Sequence, residues 1–209
     1  MNDSDLAEAS SIVFPFLRAL AHDMAAPLTS VIGYAQLNLE DLGSPEELRE
    51  DFGEIEQSAK SLRIYLRRLS RLSRYLPEES TTPAGDLFAD LEALTNSLAL
   101  SAGNVLVWNL NGTSYQSDEI EANPWLVRVT CLALLGAVCR FPSANITVTR
   151  TPDSITIKFP ALQDDRLHGT PNAWGCGDLG HRLLASQPSL LLETGEEHWT
   201  LSLPRRSSD

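Results

Sequence analysis

Cysteine is scarce in this chain: Cys131, Cys139 and Cys176 are the only three in 209 residues. They form no CxxC pair and their count is odd, so neither a disulfide framework nor a thiolate zinc site has support. Cationic residues are also in deficit. Sixteen Lys and Arg stand against twenty-eight Asp and Glu, a formal charge of −12, and such a chain repels phosphate backbones and anionic headgroups. Nucleic acid and membrane surfaces are therefore excluded as expected partners. A long apolar run is missing too, since the longest nearly apolar stretch, residues 129–139, falls short of the ~20 residues that cross a bilayer. The opening MNDSDLAEAS lacks the basic flank and apolar segment of a signal peptide. A folded cytoplasmic protein is expected.

With 43% apolar residues the chain can bury a real core as one large domain or two small ones. Cys131 and Cys139 lie in an apolar stretch and read as core. Cys176 and His181 are close in sequence, but two candidates do not complete a tetrahedral site, and no metal is expected.

From Ala7 to about Leu42, apolar side chains recur at Val13, Phe16, Leu17, Leu20, Met24, Leu28, Val31, Ala35 and Leu39, mostly three or four apart, which predicts one long amphipathic helix. GSPEE then breaks and restarts the chain: Gly43 can end the first helix, Ser44 can cap the next, and Pro45 suits its first position. From Glu46 to Leu76 the series Leu48, Phe52, Ile55, Ala59, Leu62, Leu66, Leu69, Leu72 and Leu76 predicts a second helix antiparallel to the first. Two helices of ~30 residues, each about 45 Å long, cannot bury both stripes as an isolated hairpin. A second copy would complete a four-helix bundle, so homodimerisation is expected.

PEESTTPAG, residues 77–85, has linker composition and divides a hairpin domain (1–76) from a second domain (86–209). In the latter, 86–100 and 124–141 read as helices, and 105–110, 146–150 and 154–159 as strands. Residues 181–186 suggest a short helix, while LLLET and HWTLSLP suggest a closing hairpin. Helices alternating with antiparallel strand pairs predict an α/β sandwich, and the whole an α+β protein.

His22 lies two residues from both Leu20 and Met24, a rotation of about 200° on a helix, which points it away from the packed stripe. Pro27, five residues on, removes an N–H and crowds the carbonyl of Asp23, the kind of defect that kinks a helix. Spacing alone supports two readings equally: a surface histidine beside a tolerated irregularity, or a local functional constraint.

FLRALAHDMAAPLTSVIGYAQL, residues 16–37, resembles the H-box helix of two-component histidine kinases: His, an acid, two variable residues, Thr or Asn, then Pro-Leu. Those positions here are His22, Asp23, Met24, Ala25, Ala26, Pro27 and Leu28. The resemblance implies that His22 accepts and donates a phosphoryl group and that Asp23 orients its imidazole. Ala26 replaces the Thr or Asn that positions a dephosphorylating water, which argues against phosphatase activity of the usual kind. Arg18, Ala25, Ala26 and Thr29 are the residues nominated for partner contact. The second half resembles the family's ATPase-like domain in its order of elements. Ala133 and Ala137 stand where the N-box would supply asparagines, and Phe159 and Ala161 where the adenine-reading Asp and its glycines would follow. Gly175, Gly177 and Gly180 resemble a glycine-rich lid, although turns use such glycines without any nucleotide. Asp164 and Asp165 read as a solvated loop.

A kinase-like hairpin on a degenerate ATPase-like domain is similar to dimeric histidine phosphotransferases. The resemblance implies phosphoryl transfer between receiver-domain aspartates through His22, with no intrinsic cofactor, no use of ATP, and Mg2+ supplied by the receiver. Response-regulator receivers or a hybrid histidine kinase are the implied partners. The alternatives are a non-catalytic module that binds a kinase or response regulator, and an active histidine kinase with an unusual ATP site.

Overall fold

The computed structural model describes residues 3–40, 44–73, 78–110, 115, 117–161, 183–184, 187 and 189–206. Two long helices come first, α1 (Asp3–Glu40) and α2 (Pro45–Ser73). They are followed by β1 (Thr82–Pro83), α3 (Ala84–Ser101), β2 (Val105–Leu110), β3 (Glu119–Ile120), α4 (Pro124–Val138), β4 (Ser143–Arg150), β5 (Ser154–Pro160), β6 (Leu191–Thr194) and β7 (His198–Pro204). The fold is a helical hairpin followed by an α/β sandwich, the α+β arrangement that the apolar periodicities predict. Gly43, Leu76 and most of the segment expected to form the short helix at 181–186 lie outside the described residues.

Local chemistry explains the boundaries. Ser44 and Glu47 close a reciprocal capping box at the start of α2. Glu47 N donates to Ser44 Oγ at 3.3 Å and Ser44 N to Glu47 Oε2 at 2.7 Å, with Pro45 in the first helical position, where its missing N–H costs nothing. Asn123 caps α4 by accepting from the backbone N–H groups of Trp125 and Leu126. At the end of α3 the chain turns through Gly103 at φ +73°, a conformation that disfavours any side chain. Pro27, expected to kink α1, sits within a helix that runs uninterrupted from Asp3 to Glu40.

The main sheet has the order β2-β4-β5-β7-β6. Its β4–β5, β5–β7 and β6–β7 pairs are antiparallel, including the two hairpins that the sequence pattern predicts, but β2 and β4 are parallel. A parallel pair needs a crossover, and α4 supplies it. Alternation decides the faces: Ala144, Ile146, Val148, Ile155, Ile157, Phe159, Leu201 and Leu203 are buried under the helical layer of α3 and α4, while Thr149 and Lys158 face solvent on the open side. Thr82 and Pro83 pair with Ile120 and Glu119, so the end of the stretch with linker composition is tied into a small two-stranded ribbon.

The hairpin and the sandwich share one hydrophobic core. Val13, Phe16 and Leu20 of α1 and Leu72 of α2 are buried in the same cluster as Leu87, Phe88, Leu91 and Leu132, and α1 packs along both α3 and α4. Around this contact sits a buried ionic clasp centred on Asp90 of α3. Arg71 Nη1 lies 3.1 Å from each Asp90 carboxylate oxygen, Arg128 Nε lies 3.1 Å from Oδ2, and Arg68 Nε lies 3.7 Å from Oδ1. Burial pulls the Arg128 guanidinium below its usual value, and Asp90 opposes that pull. Trp125 Nε1 donates to the Leu72 carbonyl at 2.9 Å, satisfying one of the last acceptors of α2.

A second acid ties the ribbon to the sheet. Asp118 accepts from Arg150 Nε at 2.6 Å and Nη2 at 2.9 Å, with Arg205 Nη1 at 3.9 Å. The Arg150 hydrogen bonds hold its carboxyl below the usual carboxylate range. Because the folded state then binds the proton more weakly than the unfolded one, the stabilisation is fully present above the unfolded Asp value of about 3.9. It is lost as pH falls through the folded value. In urea denaturation, Asp118→Asn is therefore expected to be less stable than the parent chain at neutral pH, and the gap is expected to close on acidification below about pH 4. A gap independent of pH is the contrary result.

Candidate functional site

Beyond the shared core, α1 emerges from cover. Ala19 and Leu20 are buried, whereas Ala21 and His22 are exposed. The His22 side chain is 90% exposed, and its Nδ1 lies 3.6 Å from Oδ1 of Asp23, whose own side chain is 33% exposed. That separation is too long for a hydrogen bond, but it places the carboxylate's negative charge beside one ring nitrogen and leaves Nε2 as the other. The orientation expected for His22 from its offset against Leu20 and Met24 is the one found.

Arg18, Ala25, Ala26 and Thr29 are all exposed. At 100° per residue, Arg18 lies 40° and Thr29 20° from His22 around the helix axis, and Ala25 and Ala26 flank it at 60° and 40°. The residues nominated for partner contact therefore share one face with His22, two of them offering only methyl groups. Thr29 Oγ1 donates to the Ala25 carbonyl at 2.9 Å and Ser30 Oγ to that of Ala26 at 3.3 Å, so both hydroxyl protons are directed back into the helix.

The positions compared with nucleotide motifs are occupied by packing. Ala133 is fully buried and Ala137 nearly so, within a helix whose residues from Val127 to Val138 are all enclosed. Phe159 is buried, with its ring centroid 6.3 Å from that of Trp199, and the Ala161 amide donates to the Glu197 carbonyl. Cys131 and Cys139 are core residues, as their apolar surroundings predict. Burial pushes each thiol up to about 12, far from the range of reactive thiolates. Among the described residues no group of His, Cys, Asp and Glu could hold a metal ion, and no helix is long and apolar enough to cross a membrane. Asp164, Asp165, Gly175, Cys176, Gly177, Gly180 and His181 lie outside the described residues.

The Asp90 clasp is not evident from periodicity, but one residue of the sequence signals it. Arg128 interrupts the otherwise apolar WLVRVTCLALL, and a cation on a buried helix demands an acidic partner.

Residues 15–77, which span most of the hairpin, match the family model of the His Kinase A (phospho-acceptor) domain. No curated protein matches the chain. Among solved structures it is similar to the Acinetobacter baumannii histidine kinase AdeS, at TM-score 0.44 and 14% identity over 89% of this chain and 98% of that one. It is also similar to full-length ShkA in complex with AMPPNP, at TM-score 0.44 and 18% identity over 92% of this chain and 46% of that one. A bacterial phosphotransferase gives TM-score 0.39 and 12% identity over 97% of each chain.

Proposed function

We propose that the chain is a histidine phosphotransfer protein that moves a phosphoryl group between the aspartates of two receiver domains through His22, without using ATP. The observation that carries this reading is an exposed His22 with Asp23 at its Nδ1, on a hairpin of the phosphoacceptor family. Nε2 attacks the phosphorus of a receiver's aspartyl phosphate, the P–O bond to the carboxylate breaks, and the receiver's aspartate leaves with the electron pair. The imidazole ring becomes cationic as the N–P bond forms, and the Asp23 carboxylate beside Nδ1 offsets that charge. Attack by a second receiver's aspartate reverses the sequence. The remaining demands are in-line positioning and charge neutralisation, with Mg2+ brought by the receiver. The enclosure of Ala133 and Ala137 supports a second domain that works as scaffold.

Exposed apolar side chains further along the hairpin favour a homodimer. Leu28, Ile32 and Leu37 of α1 and Phe52, Ile64 and Leu66 of α2 are between 47% and 59% exposed, a surface that a second hairpin would cover. Receivers acting in the cytoplasm are the fitting partners.

The test is phosphoryl transfer to purified chain from phosphorylated receivers and, separately, from ATP with magnesium. Acid-labile label on the parent chain from a receiver only, and none on His22→Ala, is the expected result. Label from ATP restores the kinase reading. No label from either, with the biological effect surviving in His22→Ala, leaves the non-catalytic binding module.

A further inference from the structure

We infer that Arg18 is the cation that holds the phosphoryl group on His22, an inference that rests on His22 being the phosphoacceptor. A phosphohistidine places a group of about two negative charges on an exposed face of a chain whose formal charge is −12, and something must offset it. The face itself offers few choices. Ala25 and Ala26 have no polar side-chain atoms, Asp23 is an anion, and the hydroxyl protons of Thr29 and Ser30 are committed to the carbonyls of Ala25 and Ala26.

Arg18 is the only lysine or arginine in α1. It lies one turn before His22, and residues four apart on a helix are neighbours, with about 5–6 Å between their Cβ atoms. It is exposed and pairs with no carboxylate among the described residues; of the α2 arginines, Arg68 and Arg71 are committed to Asp90 and Asp86, and the exposed Arg63 and Arg67 stand on the other helix of the hairpin. Its backbone is also well anchored, because the neighbouring Phe16, Ala19 and Leu20 are buried. A guanidinium presents two parallel N–H donors to phosphoryl oxygens, which suits both the loaded state and the charge that spreads over the equatorial oxygens during transfer.

A small donor separates this contact from receiver docking. With phosphoramidate, an imidazole nitrogen of His22 attacks phosphorus and the donor's P–N bond breaks. Its nitrogen leaves with the electron pair and takes a proton to become ammonia. The full chain, Arg18→Ala, Arg18→Lys and His22→Ala would be compared by 31P NMR for the rate of phosphohistidine formation and for its lifetime after the donor is removed. Thermal melts by circular dichroism would be run in parallel. Arg18→Ala is expected to form phosphohistidine at least about tenfold more slowly, some 1.4 kcal/mol of barrier, with an unchanged melting temperature, and Arg18→Lys is expected to recover part of the rate. An Arg18→Ala rate within about threefold of the parent chain, a lysine variant no better than alanine, or a parent chain unlabelled on His22 each overturns the inference. Labelling by phosphoramidate combined with none from any receiver rejects the relay reading, and leaves Arg18 to be judged on the variant rates.

Discussion

Asp90→Ala is expected to destabilise the chain by about 3–5 kcal/mol, the cost of breaking a buried ion pair by removing one partner. Asp90 is 2% exposed and Arg128 3%, so the substitution leaves the Arg128 guanidinium enclosed without its carboxylate. Arg68 and Arg71 lose the same partner but have other options: Arg71 Nη2 also reaches Asp86 Oδ2 at 2.7 Å, and both arginines are less deeply buried. The penalty therefore concentrates on Arg128, and this makes the effect separable. Replacing Asp90 with Leu and Arg128 with Met together is expected to recover most of the lost stability, since removing both charges of a buried pair is often neutral or better. Urea denaturation of the three proteins gives the comparison. A single variant within about 1 kcal/mol of the parent chain would show that water reaches the clasp.

Phe16→Ala is expected to cost about 3–5 kcal/mol, as for other buried aromatics truncated in a core. Phe16 is 1% exposed and lies in the cluster that joins α1 to the sandwich. The informative feature is how the loss is distributed. Because the two parts share that cluster, helix content by far-UV circular dichroism and tryptophan fluorescence are expected to shift together in one coincident transition. Separate transitions, with only the helical signal displaced, would mean that the hairpin unfolds independently and that the clasp does not couple it to the sheet. The same buried residues that join the hairpin to the sandwich also fix the backbone one turn before His22.

Much of the local structure was legible because it depends on local chemistry. The capping pair Ser44 and Glu47, with Pro45 beside them, announces the start of α2 at any position in any fold. The two-residue alternation of VLVWNL and SITIKF marks strands whatever they pair with. The outward direction of His22 followed from a two-residue offset against Leu20 and Met24. The H-box pattern around it implies phosphoryl chemistry by resemblance to a family.

Other features depend on which surfaces meet. Val13, Phe16 and Leu20 read as part of a stripe along a helical hairpin, and periodicity has no means of saying that the first turns of that stripe are covered by α3 and α4 while Leu28 remains open. The parallel pairing of β2 with β4 was equally hidden, because an alternating strand carries no mark of its partner's direction. Composition likewise gave Thr82 and Pro83 the character of a linker, and their pairing with β3 depends on a strand thirty-odd residues away.

The sequence by itself determined the elements and the outward direction of His22 beside Asp23, because side-chain periodicity and capping act within a few residues. Only the tertiary structure decided that one core and one buried carboxylate, Asp90, join the hairpin to the sandwich. The partners of a buried charge are chosen by burial itself: Arg68, Arg71 and Arg128 converge from two different helices on an acid in a third, because Asp90 and Arg128 are cut off from solvent and must satisfy each other.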